Sequence, residues 1–155
     1  MLSLAKHEPA HLYFTGRNVA AAESLIQELN ATHPSVSLTF LDMDLSSLSS
    51  VRSSAAKFTH DRLDILILNA GILDRPPALS VDGFEIHMAV NHLGHAMLVR
   101  ELLPVLLRTA ENPMSDVRVV FISSKGHTLH PKQGILWDMI RTKQDSITVS
   151  YSRYA

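Results

Sequence analysis

Short apolar runs alternate with longer amphipathic segments along this chain, and this alternation constrains its fold more than any other feature. The apolar runs are rich in strand formers, and the segments between them carry apolar residues every three or four positions. The runs are HLYFT (11–15), VSLTFL (36–41), LDILIL (63–68) and VRVVFI (117–122). The nearly continuous apolar character of the last two predicts strands buried on both faces. The pattern predicts an α/β fold, a parallel sheet between helices, in one domain over residues 1–155.

The segments between the runs predict the helices. They cover residues 18–30, 46–59 and 82–107, with a short helix at 136–140 and the start of another at 148–155. Asn18 is placed to cap the first of these helices. Pro104 predicts a kink or break near the end of the long one.

Composition excludes several classes of protein. The chain has no cysteine, so it contains neither a disulfide scaffold nor a thiolate metal site. A formal net charge of −1 gives no general attraction to nucleic acid. No apolar run reaches the roughly 20 residues that a membrane-spanning helix needs. We therefore expect a soluble cytoplasmic protein with no nucleic-acid partner, no membrane span and, despite nine histidines, no metal site.

Small, polar or charged residues follow all four predicted strands. They are Gly16 and Arg17 after the first, Asp42 to Leu45 after the second, Asn69, Ala70 and Gly71 after the third, and Ser123 and Ser124 after the fourth. Each also has a simple structural interpretation, since Gly71 suits a turn, Asp44 a helix cap, Arg17 a solvated surface and Ser124 a cap or turn. Ligands of open parallel sheets bind beyond the carboxyl ends of the strands, so the combination favours a binding site there.

The chain resembles the short-chain dehydrogenase/reductases across essentially its whole length, and most closely their retinol-dehydrogenase-like branch. The stretches that carry the resemblance are TGRN, LDMDLSSLSSV, LDILILNAGI, DGFEIHMAVNHLGHAMLV, VRVVFISSKGH and SYSRYA. The most specific part is LNAGI followed by VNHLGH, completed by a serine pair after an apolar strand. The resemblance implies an incomplete Rossmann-like, doubly wound parallel sheet that lacks the family's first strand and its C-terminal part.

The resemblance also implies a cofactor site. Asn69, Ala70 and Gly71 match the motif that steadies the central sheet and lines the adenosine ribose. Asp44 and Leu45 match the adenine pocket. Arg17 lies where the family often places a positive charge against the ribose 2′-phosphate, and no acidic residue neighbours it to bind an unphosphorylated ribose. The resemblance therefore implies NADP rather than NAD as the cofactor.

The implied reaction is hydride transfer between a nicotinamide and a small carbonyl or alcohol substrate. Asn91 matches the asparagine that holds a proton-relay water, Ser124 the serine that binds the substrate oxygen, and Tyr154 the general acid or base. Tyr151 is the rival candidate, but the lysine of the family's Tyr-x-x-x-Lys pattern would then fall on Ala155. Retinoids, steroids, lipid aldehydes and polyketides all remain open as substrates, and so does a homo-oligomeric state.

Two departures from the family weigh against activity of these residues alone. The chain has no Gly-rich turn to bind a pyrophosphate, and Tyr154 would need a lysine beyond position 155. The family strand before that turn lies between HLYFT and LDILIL, so its absence leaves two central sheet edges unpaired. We expect a fragment truncated at both ends that is inactive and folds poorly in isolation. A catalytically dead nucleotide-sensing or interaction protein, and an incomplete or degraded gene copy, are the alternatives.

Overall fold

The computed structural model describes residues 1–73, 75–129 and 132–144. The chain divides into two compact units, Met1–Asp44 and Leu45–Ala155. Each unit contains one two-stranded parallel sheet.

The first unit is a short βαβ arrangement. Its elements are α1 (Leu2–Ala5), β1 (His11–Gly16), α2 (Val19–Thr32) and β2 (Ser37–Asp42). The two strands pair in register from His11 opposite Ser37 to Gly16 opposite Asp42. Asn18 caps α2 as predicted, because its Oδ1 accepts a hydrogen bond from the backbone N–H of Ala21 at 3.0 Å.

The second unit places one long helical run beside a shorter helix. Its elements are α3 (Leu48–Ala55), β3 (Ile65–Leu68), α4 (Ile86–Met88), a π-helical turn (Ala89–Leu93), α5 (Gly94–Ala110), β4 (Arg118–Phe121) and two 3₁₀ turns (Lys125–Leu129 and Trp137–Met139). β3 and β4 pair from Ile65 opposite Arg118 to Leu68 opposite Phe121. Helices α3 and α5 pack together and bury Val51, Leu102, Val105 and Leu106.

The long helical run differs from its prediction at both ends. It begins at Ile86 rather than Asp82, because Ser80 N donates to Phe84 O at 2.7 Å and closes a turn. Gly83 adopts a φ of +76° in that turn, a backbone conformation that residues with a Cβ rarely adopt. The helix continues through Pro104 to Ala110, so the predicted break is wrong. Only the Arg100 carbonyl loses its usual intrahelical donor there, since proline has no N–H.

Strands β3 and β4 lie where the sequence predicts them, but they are not buried on both faces. Ile65 is 55% exposed and Phe121 is 58% exposed. Within the described residues each strand has a partner along one edge only, so its side chains lack the flanking neighbours that would cover them. The prediction of two-sided burial is therefore wrong for this chain.

These elements confirm the predicted α/β class and the partial Rossmann-like sheet. Pairing of β1 with β2 and of β3 with β4 in separate sheets of the described chain agrees with the expected gap between HLYFT and LDILIL. None of the helices in the described ranges combines the length and apolar character needed to cross a bilayer. The helix expected at 148–155 lies outside the described residues. The single-domain organisation and the cytoplasmic location stay predictions.

Candidate cofactor and active site

In the first unit, two predicted cofactor-binding residues lie at the carboxyl end of the parallel sheet. Met43 N donates to Gly16 O at 2.9 Å, which continues the β1–β2 ladder by one step beyond the strands. Arg17 and Asp44 therefore each come directly after one of two paired strand ends. The Arg17 side chain is exposed, and no carboxylate in the described part of the chain pairs with it. Its guanidinium is available for an anionic ligand.

The cap of α3 is not Asp44, which corrects the simple interpretation of that residue. Ser47 is the N-cap, and its Oγ accepts from Ser50 N at 3.2 Å. A second orphan donor of the same helix, Leu48 N, is satisfied by Asp82 Oδ2 at 2.8 Å. The N-cap of α3 is thus Ser47, and the place of Asp44 in an adenine pocket stays a prediction.

In the second unit, Leu45 lies directly against the start of α5. A Cβ built on Gly94 would be 2.5 Å from the Leu45 backbone oxygen and 3.0 Å from the Leu45 Cβ. Only a residue without a side chain permits this approach. Sequence reasoning did not assign a role to Gly94, although the glycine of VNHLGH, placed three residues after Asn91, was the available signal.

The structure brings Gly71 and Asn91 together. Asn91 Oδ1 accepts from Ile72 N at 2.8 Å, and Asn91 Nδ2 donates to Ile72 O at 3.0 Å. A Cβ on Gly71 would come within 3.3 Å of Asn91 Oδ1. Gly71 is not among the glycines with positive φ, so its value lies in the space it leaves and not in backbone freedom. Ile72, the residue directly after the Asn-Ala-Gly segment, is thus held to the helical run by two hydrogen bonds.

Asn91 lies in the π-helical turn Ala89–Leu93, in which Gly94 N reaches back five residues to Ala89 O. Such turns are rare and frequently occur at functional sites.

The nearby His95 side chain is buried and hydrogen-bonds to the backbone of Asn91. Burial lowers the pKa of His95 below its ordinary value of 6.5, the bond to Asn91 opposes this shift, and the proximity of His92 adds to it. His95 is therefore held in its neutral form at neutral pH.

Ser124 follows β4 at the carboxyl end of the second sheet. Ile122 N donates to Leu68 O at 3.0 Å, which extends the β3–β4 ladder to the residues just before the serine pair. Ser124 is exposed, and its Oγ accepts from Gly126 N at 3.1 Å in the turn that follows. Asn69 and Ala70 are also exposed. Tyr151 and Tyr154 lie outside the described residues.

The family model described as short chain dehydrogenase matches residues 2–135 of this sequence. The chain belongs to the short-chain dehydrogenase family. The short-chain dehydrogenase/reductase drtF of Aspergillus calidoustus is 38% identical over 155 residues, which cover 97% of this chain and 49% of that protein. The chain spans about half the length of that relative, and less than half of several others.

Solved structures agree with the family assignment. An uncharacterized protein from Mycobacterium paratuberculosis superposes with a TM-score of 0.67 at 32% identity, covering 92% of this chain and 47% of that one. The Pseudomonas aeruginosa RhlG/NADP active-site complex superposes with a TM-score of 0.57 at 29% identity, covering 74% of this chain and 45% of that one. These matches agree with a partial Rossmann-like fold and with membership of an oxidoreductase family.

Proposed function

We propose that this short-chain dehydrogenase contributes to hydride transfer between NADP, in preference to NAD, and a small carbonyl or alcohol substrate. The observation that carries this proposal is the two-point hydrogen bond between Asn91 and the backbone of Ile72. It holds the residue directly after the Asn-Ala-Gly segment, beyond the carboxyl end of a parallel strand, where such sheets bind their ligands. The retinol-dehydrogenase-like branch belongs to the same proposal.

Arg17 supports the choice of NADP. Its exposed side chain follows β1, and in the described part of the chain no carboxylate neutralises it. The planar fork of a guanidinium matches the oxygens of a phosphate, which distinguishes NADP from NAD. RhlG, at 29% identity, was solved as an NADP complex.

A bound nicotinamide would supply or accept the hydride. In this proposal Ser124 Oγ donates a hydrogen bond to the substrate oxygen, and the Tyr154 hydroxyl exchanges a proton with that oxygen. A free tyrosine titrates near pH 10, so Tyr154 needs a positive charge beside it to work near neutral pH.

Asn91 would hold the relay water through its backbone carbonyl, because Ile72 occupies both ends of its side-chain amide. A carbonyl has two lone pairs, which allows this carbonyl to serve both the water and His95.

We further propose that residues 1–155 do not catalyse the reaction by themselves. Their six glycines include no Gly-rich turn, and no lysine follows Tyr154 within them. A Gly-rich turn presents backbone N–H groups to the pyrophosphate, so its lack removes a main source of cofactor affinity. Isothermal calorimetry of the purified 155-residue chain with NADPH, and with NADH for comparison, tests this directly. Binding in the micromolar range would refute the argument from the missing turn.

A chimera tests the contribution of this chain to catalysis. Residues 1–155 would replace the aligned part of the Aspergillus relative, which supplies the remaining half of the domain. We expect NADPH-dependent carbonyl reduction. Ser124→Ala should lower kcat by about a hundredfold, as loss of one oxyanion donor typically does. Arg17→Ala should weaken NADPH binding about tenfold or more and leave NADH binding unchanged, because a charged hydrogen bond is lost.

The same chimera discriminates the alternative of a catalytically dead nucleotide-sensing protein. The missing Gly-rich turn weakens cofactor binding in either case, whereas the absence of a lysine after Tyr154 within these residues is the observation that favours this alternative, because that lysine would serve catalysis. NADPH binding without turnover in the chimera, unaltered by Ser124→Ala, would support the sensing function. A control substitution, Ser53→Ala on the exposed surface of α3, should leave binding and turnover unchanged.

A further inference from the structure

Glu85 and His87 form a buried pair at the start of the long helical run. They are 1% and 2% exposed, and Glu85 Oε1 lies 2.8 Å from His87 Nδ1. The other carboxylate oxygen, Oε2, accepts from the backbone N–H groups of His87 and Met88, each at 2.9 Å. Glu85 therefore caps α4 and binds the imidazole with the same carboxylate.

The partners of His87 specify its tautomer. Since Glu85 Oε1 accepts, Nδ1 must carry the proton, which leaves Nε2 of the neutral ring as an acceptor. Nε2 receives the backbone N–H of Arg75 at 3.4 Å. Arg75 lies in the chain between β3 and α4, and His87 thereby connects this part of the chain to the helix.

The same short stretch of chain also holds the segment that follows β4. Glu85 N donates to Ile140 O at 2.7 Å. The guanidinium carbon of Arg141 lies 4.2 Å from the centre of the Phe84 ring, a cation–π contact. Residues 84–87 thus bind two segments, one after each strand of the second sheet.

We propose that the Glu85–His87 pair positions the two loops that follow β3 and β4, and so sets the geometry of the substrate side of the site. This inference rests on the proposed function. Ligands bind beyond the carboxyl ends of parallel strands, and these loops carry Gly71 on one strand end and Ser124 on the other. Glu85 and His87 are positioning residues: the His87 ring acts on the Arg75 N–H, the Glu85 backbone N–H acts on the Ile140 carbonyl, and neither residue touches cofactor or substrate.

The first test needs no variant. Nitrogen-15 NMR of the 155-residue protein reports the protonated ring nitrogen of His87, and hydrogen exchange reports the amide of Arg75. We expect the Nδ1–H tautomer and an Arg75 amide that exchanges more slowly than the amide of the exposed Leu73. A proton on Nε2, or an Arg75 amide that exchanges at the rate of a free loop, would overturn the proposal.

Two polar variants then separate the two hydrogen bonds of the ring. His87→Gln reaches far enough to accept from Arg75, whereas His87→Asn retains a donor for Glu85 but is too short to reach Arg75. We expect exchange at Arg75 near the wild-type rate in His87→Gln and about tenfold faster in His87→Asn, the effect of one hydrogen bond. His92→Leu, at an exposed position of the same helical run, is the matched control and should change nothing.

A positioning role and a general structural role of His87 predict faster hydrogen exchange at different backbone amides. In His87→Asn we expect faster exchange at Arg75 and at Gly126, whose amide reports the Ser124 turn, while the core amide of Leu106 keeps its rate. Equal acceleration at all three amides would mean a general loss of stability and would contradict the proposal. Because neither cofactor nor substrate is present, this outcome is independent of the calorimetry and of the chimera.

Discussion

At the scale of single residues, Gly94 is a position where the packing leaves no room for a side chain. In most helices the exchange of glycine for alanine gains about 1 kcal/mol of stability. Here the added Cβ would lie 2.5 Å from the Leu45 carbonyl oxygen, which is backbone and cannot rotate away. We expect Gly94→Ala to lower the free energy of unfolding by about 1–3 kcal/mol, the usual cost of overpacking. Urea unfolding of the chimera with the Aspergillus relative, followed by circular dichroism, measures this change.

Ala96→Gly is the matched control for that substitution. It makes the reverse exchange on the exposed face of α5, and it should cost about 1 kcal/mol through helix propensity alone. If Gly94→Ala stabilised the protein by the amount that Ala96→Gly destabilises it, the contact between Gly94 and Leu45 would carry no strain.

His95 gives the protein a specific dependence on pH. Burial lowers its pKa in the native state, whereas in the unfolded state it titrates near the ordinary value of 6.5. Below that pH the unfolded state binds more protons than the native state, so the free energy of unfolding decreases as the pH falls through 6.5 towards the native pKa. Above 6.5 both states hold neutral histidine and the contribution is constant.

We therefore expect His95→Gln to flatten the loss of stability on acidification. Urea unfolding of the chimera with the Aspergillus relative, with and without this substitution, from about pH 8 to about pH 5, measures the two slopes. His92→Gln removes only the last-ranked of the three causes of the His95 pKa shift and should retain most of the wild-type slope. Identical slopes for wild type and His95→Gln would exclude His95 as the source.

At the scale of elements, the Asn91 amide joins the loop after β3 to the π-helical turn. Asn91→Ala would leave both Ile72 N and Ile72 O without their partner. A buried polar group left unpaired costs about 1–3 kcal/mol, and partial exposure of this site places the expected loss towards the lower value. Hydrogen exchange at the Ile72 amide should accelerate more than exchange elsewhere in the second unit.

Asn112→Ala is the control for Asn91→Ala. Asn112 also accepts a backbone hydrogen bond, from Met114 N at 3.0 Å, but it does so within its own exposed turn. Its loss should leave exchange at Ile72 unchanged. Equal exchange at Ile72 in wild type and Asn91→Ala would show that the two-point bond does not hold the loop.

Periodicity predicted the elements well because it records which positions are buried. All four strands lie within two residues of their predicted bounds, and Asn18 caps α2 as its position suggested. The start of the long helical run was predicted less well, since the Ser80–Phe84 turn satisfies backbone groups that an earlier helix would have used. The pattern of apolar residues alone contains no information on that turn.

The Glu85–His87 pair and the contact of Gly94 with Leu45 could not be predicted for a related reason. Both depend on residues brought together by packing, such as Arg75 against His87 and Leu45 against Gly94. The family motifs identified Gly71 and Asn91 as a candidate site, but only coordinates show that a side chain on Gly71 would press on the Asn91 amide. The family motifs predict which residue types stand at positions 71 and 91, whereas the distance between them explains why position 71 is a glycine.

At the scale of the whole molecule, burial depends on what lies beside each strand. The apolar runs of β3 and β4 have the composition of strands covered on both faces, yet Ile65 and Phe121 are more than half exposed. Sequence composition reflects the complete environment in which a strand is stable, and the described residues supply part of that environment. This exposed apolar surface is expected to promote association of isolated chains.

The unpaired edges lead to the last prediction, which concerns cooperativity. Within the described ranges each strand has one partner, and the chain divides into two compact units. A single cooperative transition requires that the parts of a molecule stabilise one another, and strand edges without partners favour aggregation instead. For residues 1–155 alone we expect a calorimetric enthalpy of unfolding larger than the van't Hoff enthalpy, and a transition that depends on protein concentration. The chimera with the Aspergillus relative, which supplies the remaining half of the domain, should unfold in one transition with the two enthalpies equal. Equal enthalpies and no concentration dependence for the 155-residue chain would show that its two units already form one cooperative structure.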